Sequence, residues 1–284
     1  MDPLLAIGFW AYVLTVAGIY AIFVLGLQIQ VGDTGLLNFG HVASMAIGAY
    51  ATGLMVVHWH LPFVVAAAIA VVIAAIAGAL IGIPTLRLRG DYFAIVTIAA
   101  GEILRIVIQN QQDVTGGTLG LRKASGGWPE FNQSILDAIG LDIDRRIPLL
   151  VLTWISAVLV ALLLVRLGRS PWRRALRAVR ENEDAAAAAG KPVFKLKLQS
   201  LGLGAAIAGL SGVFFTLLQT SLYPENFEPI VTFIGFAILI LGGIGSYFGV
   251  IVGSIVISFI ISGVRFLDFP LAADKVAALR FVVI

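Results

Sequence analysis

The 284-residue chain contains no cysteine. That excludes a disulfide framework, a thiolate nucleophile and any zinc site built on sulfur. Charge is also scarce: Asp, Glu, Lys and Arg make up 12% of the residues, against 60% apolar. A soluble domain is about a quarter charged, so this chain cannot cover a water-facing surface, and lipid must take water's place over much of it. A phosphate-cradling loop, Gly-x-x-x-x-Gly-Lys-Ser/Thr, is missing as well. The one Gly-Lys pair, Gly190-Lys191, runs into Pro192. ATP chemistry must therefore sit on another chain. With three histidines, His41, His58 and His60, a metal site or an intramembrane hydrolase has little to work with, and no cofactor is expected here. No catalytic site is expected on this chain.

What is present is a succession of long apolar runs. A membrane-spanning helix needs about 20 such residues. Eight runs qualify as spans: Leu4–Ile29, Leu36–Val57, Leu61–Ile83, Tyr92–Ile108, Ile147–Leu167, Ser200–Leu218, Ile230–Leu241 and Phe248–Val264. The second holds Asn38, His41 and Ser44 and the seventh is short, so either is expected to be broken or re-entrant. A further apolar run opens near Ile284 and is expected to continue as another span. The fold class is therefore all-α, a polytopic helix bundle forming a single membrane domain over residues 1–284.

Basic residues orient it. Nine of the nineteen lie between Arg166 and Leu198, which places that loop in the cytoplasm and the loop over residues 109–146 outside. The first span then starts outside. The outer loop is too long for a bare connection. Phe131, Ile135, Leu136 and Ile139 have helical spacing, so a short interfacial helix anchored by Trp128 is expected there. His58 and His60, flanking Trp59, are expected at the outer interface.

The inner loop, residues 168–198, carries the most information. Ser170-Pro171 reads as a helix start and Gly190-Lys191-Pro192 as its stop. Trp172, Ala175, Leu176 and Val179 share one face, and Arg173, Arg174, Arg177 and Arg180 are expected to point elsewhere. The second half, Glu181 to Ala189, is acidic and then nearly all alanine. One rigid helix over 171–189, bare enough for another protein to approach, is the expectation. The alternative is an amphipathic helix on anionic lipid, which the acidic half disfavours.

Asp184-Ala185-Ala186 with Gly190 resembles the EAA loop of ATP-binding cassette importer permeases, with Asp for Glu. The run from Arg177 to Ala186 resembles the branched-chain amino acid permease family, in particular its M-type subunits. So do Leu36–His41 running to Gly48–Tyr50, Leu88–Thr97 with Gly101, Glu102 and Arg105, and Leu241–Ser246. Four segments in one order cover residues 30–260 or so. The resemblance implies a bacterial inner-membrane permease for branched-chain or related apolar amino acids. It implies a homologous second permease, two cytoplasmic ATPases carrying ATP and magnesium, and an extracytoplasmic binding protein, with lipid around the bundle and no nucleic acid. The coupling residues it implies are Arg177, Arg180, Glu181, Glu183, Asp184, Ala185, Ala186 and Gly190. A permease for urea or short amides shares the pattern. A secondary transporter or channel is the alternative from another class.

Polar groups inside a membrane usually face the bundle interior or water. Asn38, His41 and Met45 on one face of the second span, and Glu102 with Arg105 on the fourth, are accordingly the expected pathway residues. For Asn38 and His41 the competing role is a hydrogen bond between helices. For Glu102 and Arg105 it is a static buried pair. Gly202, Ala205, Gly209 and Gly212, and again Gly245, Gly249 and Gly253, read as strips for close helix packing.

Overall fold

The structure is a computed structural model that describes residues 7–88, 90–128, 132–133 and 144–264. The expected helix over Phe131–Ile139 apart from Asn132 and Gln133, Arg89, and everything from Arg265 onward lie outside the described residues. Eight apolar helices cross the fold: α1 (Ile7–Gln28), α2 (His41–Trp59), α3 (Phe63–Thr85), α4 (Asp91–Asn110), α6 (Ile147–Gly168), α9 (Val193–Leu218), α10 (Pro229–Gly242) and α11 (Tyr247–Val264). Between them stand three short helices, α5 (Gln112–Thr115), α7 (Pro171–Glu181) and α8 (Glu183–Ala188). Seven of the eight are long and apolar enough to span by themselves, counting α10 with the 3-10 turn before it; α11 is shorter.

Two environments divide the helices. In the most apolar stretch of α1, 78% of residues are buried inside the protein; in α3, 17% are. A helix apolar all round belongs in a core or a membrane, and here the two cases sit side by side. α1, α2 and α9 form the centre, around Phe23, Leu25, Leu27 and Ile207. α3, α4 and α6 turn Val72, Ile95 and Leu159 outward.

The centre is closed by glycine. A Cβ on Gly48 of α2 would overlap the carbonyl of Gly209 on α9, and one on Gly212 would overlap the carbonyl of Met45. This is backbone-to-backbone approach that only small residues allow, and it uses half of the expected α9 strip. Gly249 and Gly253 pack likewise against Gly242 and Ile238. Between α10 and α11, Gly243 and Gly245 take φ of 90° and 101°, so the chain turns sharply where the sequence placed a break.

The second span is broken, though not inside its helix. α1 ends in a π-helical turn, Ile29–Asp33, and residues 34–40 run back non-helically along the bundle before α2 begins at His41. Asn38 therefore precedes the helix on which sequence reading placed it. Irregular backbone at membrane depth is tolerated only where protein satisfies it. Here side chains do so: Phe39 N donates to Thr97 Oγ1 at 3.2 Å, and Val42 N to Thr232 Oγ1 at 3.1 Å.

At the outer end the long loop is tied down by a feature the sequence did not announce. Strands β1 (Leu121–Arg122) and β2 (Ser221–Leu222) pair antiparallel. The Tyr50 hydroxyl donates to the Leu222 carbonyl at 3.2 Å, and Ala124 N to Thr220 O at 3.1 Å. Trp59 is 71% exposed beside His60, whose left-handed φ of 50° ends α2.

Candidate functional site

Sequence reading took residues 171–189 as one helix. The structure breaks it at Asn182, which has extended backbone (φ −156°, ψ 109°). The Asn182 side chain accepts from Ala185 N at 2.9 Å and so caps α8. Asparagine competes with the helix by such local bonds, and here it wins inside a run of strong helix formers. The outer limits hold: Ser170 Oγ accepts from Arg173 N, and Gly190 takes a φ of 75°. Gly190 N bonds Ala187 O, and Lys191 N bonds Ala186 O, the Schellman pattern of a helix stop.

α7 lies against the bundle with Leu176 and Val179 buried, and Trp172 and Ala175 packed beside them. Its arginines do not all point away. Arg173 is buried and donates from Nε to Asp33 Oδ1 at 2.7 Å. Arg177 Nε stands 3.6 Å from the same oxygen, and Arg180 Nη1 donates to Gly32 O at 2.5 Å. Asp33 itself is 2% exposed and takes a further bond at Oδ2 from the Tyr247 hydroxyl, 3.1 Å. The Arg173 guanidinium also lies over the Tyr247 ring, 4.9 Å from its centre. One carboxylate thus joins the end of α1, the start of α11 and helix α7. A desolvated charge survives only when it is paired and hydrogen-bonded, and this one is. Sequence reading missed Asp33. One signal was there: between Asp2 and Asp91 it is the one acidic residue.

α8 is different. Glu181, Glu183, Asp184, Ala185, Ala187, Ala188 and Gly190 are exposed. Ala186 alone turns inward, 5% exposed in the main core, so it does not belong to the bare surface that sequence reading gave it. Glu183 is held by Lys197 of α9 at 2.5 Å.

Deeper in the bundle, Asn38 donates to Gln30 Oε1 at 3.0 Å and accepts from Gly40 N at 3.1 Å. Gln30 bonds Leu201 O, and Thr34 bonds Ser200 Oγ at 2.7 Å. His41 is fully buried; its Nε2 lies 3.1 Å from Phe23 O while Nδ1 has no partner. The cavity at Asn38 is about 20 Å³, room for about one water. Met45 faces elsewhere. It lines a cavity of about 170 Å³ between α1, α2, α9, α10 and α11, room for about six waters at about 30 Å³ each. The walls are mainly apolar, with Phe23, Phe215 and Ile234, and the polar atoms come from Tyr12, Tyr20, Asn226 and Ser262. The structure thus separates Asn38 from His41 and Met45, which both lie beside Phe23. Glu102 and Arg105 on α4 line neither cavity, though Ala100 and Gly101 beside them line the one at Asn38; they form a forked pair with Arg105 Nε at 3.0 and 3.1 Å and Nη2 at 2.5 Å. The pair is not fully buried: its side chains are 34% and 17% exposed.

Residues 9–284 match the family model described as branched-chain amino acid transport system / permease component. The chain is 37% identical over 259 residues to the high-affinity branched-chain amino acid transport system permease protein LivM of Escherichia coli (strain K12), covering 86% of this chain and 60% of that protein. The namesake from Salmonella typhimurium is 36% identical over the same shares. A probable branched-chain amino acid transport permease protein LivM from Methanocaldococcus jannaschii is 27% identical over 83% of this chain and 75% of its own. This chain thus spans 60% of the length of the two bacterial relatives. No solved structure matches.

Proposed function

The chain belongs to the branched-chain amino acid transport permease family, and we propose that it is the membrane-spanning subunit of an ATP-driven importer in the bacterial inner membrane. Its substrate class is branched-chain or related apolar amino acids. The observation that carries the proposal is the division of the inner loop. α7 is fastened to the bundle through Asp33, and α8 offers acidic and alanine surface to a partner. A cytoplasmic ATPase that grips α8 moves α7 with it, and α7 is joined to α1 and α11 through one buried carboxylate.

The partners are two such ATPases, which bring ATP and magnesium, a homologous second permease, and an extracytoplasmic binding protein that selects the substrate. The chain itself does no hydrolysis. Met45 and the apolar cavity beside it suit an aliphatic side chain better than urea or a short amide. Against a proton-driven carrier stands Glu102, whose carboxylate is occupied by Arg105 rather than free to take up a proton.

The test is reconstitution into liposomes with both ATPases, the second permease and the binding protein. Leucine uptake should require ATP and all partners, and the ATPases should co-elute with the chain. Uptake that persists without ATP or ATPases would overturn the reading.

A further inference from the structure

Where α7 meets α8 the protein leaves a cavity of about 260 Å³, at the end of the bundle that carries the basic loop. Its walls come from four places: residues 34–37 after the π-helical turn, residues 86–93 where α3 passes into α4, the hinge residues 179–183, and Lys197 of α9. Leu36, Phe93 and Val179 are buried and form an apolar floor. Gly35, Leu37, Leu88 and Glu181 are exposed around the mouth. Phe93 also lines the small cavity at Asn38, which has room for about one water. A larger molecule therefore enters from the inner surface and not through the bundle.

The charges around it are mixed. Among the described residues they are two bases, Arg180 and Lys197, and two acids, Glu181 and Glu183. Lys197 and Glu183 already hold each other at 2.5 Å. Arg180 spends Nη1 on the Gly32 carbonyl, and a guanidinium has further N–H groups to donate. Glu181 ends α7, and its carboxylate has no partner among the described residues. A plain anion would meet the two carboxylates, and a plain cation the two bases. A ligand with one charge of each sign and an apolar body matches the lining throughout. Size agrees. A dry cavity of about 150 Å³ takes the six heavy atoms of benzene, so the nine of leucine need about 225 Å³ on the same scale.

Resting on the importer reading above, we propose that this cavity binds a free aliphatic amino acid from the cytoplasm and is a site of product feedback. The ligand's carboxylate lies on Arg180, its ammonium on Glu181, and its side chain over Leu36, Phe93 and Val179. Position gives the site its effect. One wall belongs to α7 and α8 on either side of Asn182, and the other belongs to the bundle. A ligand that bridges the walls fixes both helices against the bundle. It thereby opposes the movement that an ATPase gripping α8 would drive. The transported product slows its own import once it accumulates inside.

Binding is read on the full chain in phosphatidylcholine nanodiscs, without binding protein or ATPases, by titration calorimetry with leucine. Leucine should bind. Leucinamide, which lacks the carboxylate, and 4-methylpentanoate, which lacks the amine, should each bind about tenfold more weakly or worse. Glu181→Gln should weaken leucine by a similar factor and leave 4-methylpentanoate unchanged, a difference that mere loss of structure would not produce. Met45→Trp fills the outer cavity and should leave leucine binding intact. No leucine binding, equal affinity for the three ligands, or loss of binding in Met45→Trp would each overturn the proposal. So would loss of leucine binding when phosphatidylethanolamine replaces phosphatidylcholine, because a lipid headgroup would then be the occupant. Feedback is read in liposomes holding the complete importer, with ATP and leucine sealed inside and the binding protein with labelled leucine outside. Inner leucine at about ten times its Kd should slow initial uptake by about tenfold. Uptake indifferent to inner leucine would overturn the feedback and leave the importer reading standing. If liposomes without inner leucine show no ATP-driven uptake, it is the importer reading that fails, whatever the titration gives.

Discussion

α7 and α8 are neighbours in sequence, separated by one residue, yet they are held in opposite ways. α7 is basic and bound inward: Arg173 is buried on Asp33, the exposed Arg180 still bonds Gly32 O, and Leu176 is fully covered. α8 is acidic and open, fixed to the bundle by Ala186 and by an exposed ion pair. A loop that looks like one handle is thus an anchor followed by a grip, and Asn182 sets the angle between them. An anchor needs desolvated charge and apolar contact; a grip needs small side chains and little attachment of its own. The contrast explains why the bases and the alanines are segregated along this stretch.

Three substitutions and one control probe that contrast, in falling order of effect. Asp33→Ala should be the most damaging, because it leaves Arg173 buried without its carboxylate. Losing one partner of a buried pair costs about 3–5 kcal/mol. The thermal midpoint in detergent should fall clearly, and limited proteolysis should cut within residues 170–182. A midpoint unchanged from the parent would mean that α7 is not anchored there. Ala186→Trp comes second. It overpacks the inward side of α8, which typically costs about 1–3 kcal/mol, whereas Ala187→Trp, on the open side, should leave the midpoint alone and abolish ATPase co-elution. Equal effects of the two on stability would erase the distinction between the faces of α8. Glu183→Ala is the mildest. Its carboxylate is 55% exposed, and surface pairs contribute about 0–1 kcal/mol. A midpoint shift as large as that of Asp33→Ala would show α8 to be as anchored as α7.

Much of this was legible in the sequence and some was not, for physical reasons. The eight apolar helices match the expected runs, because lipid imposes a length that reads directly, but α9 starts at Val193 rather than Ser200, taking in Lys195 and Lys197 from the end of the expected inner loop, and α2 at His41 rather than Leu36. The ends of the inner loop were legible too, since Ser170-Pro171 and Gly190 act through their own backbone. The break at Asn182 was not: its neighbours are strong helix formers, and whether its side chain caps or stays outside depends on where the following residues pack. Asp33 was hidden by distance, its partners lying 140 and 214 positions along the chain. The pairing of β1 with β2 joins segments about a hundred residues apart through two residues each, too short for any periodicity. Asn38 shares a pattern with His41 and Met45 in sequence but not a surface, because the chain leaves the helix before Asn38.

The glycine contacts at the centre bear on how such a protein moves. Where α2 and α9 meet, carbonyls of one helix fill the space that side chains would take on the other, at Gly48 and again at Gly212. Helices meshed in this way cannot slide by a fraction of a turn without driving an oxygen into a Cα. They must travel as one solid block, with α1 wedged beside them. α10 and α11 are meshed in the same way, Gly242 against Gly249, and form a second such block, which Tyr247 links to Asp33.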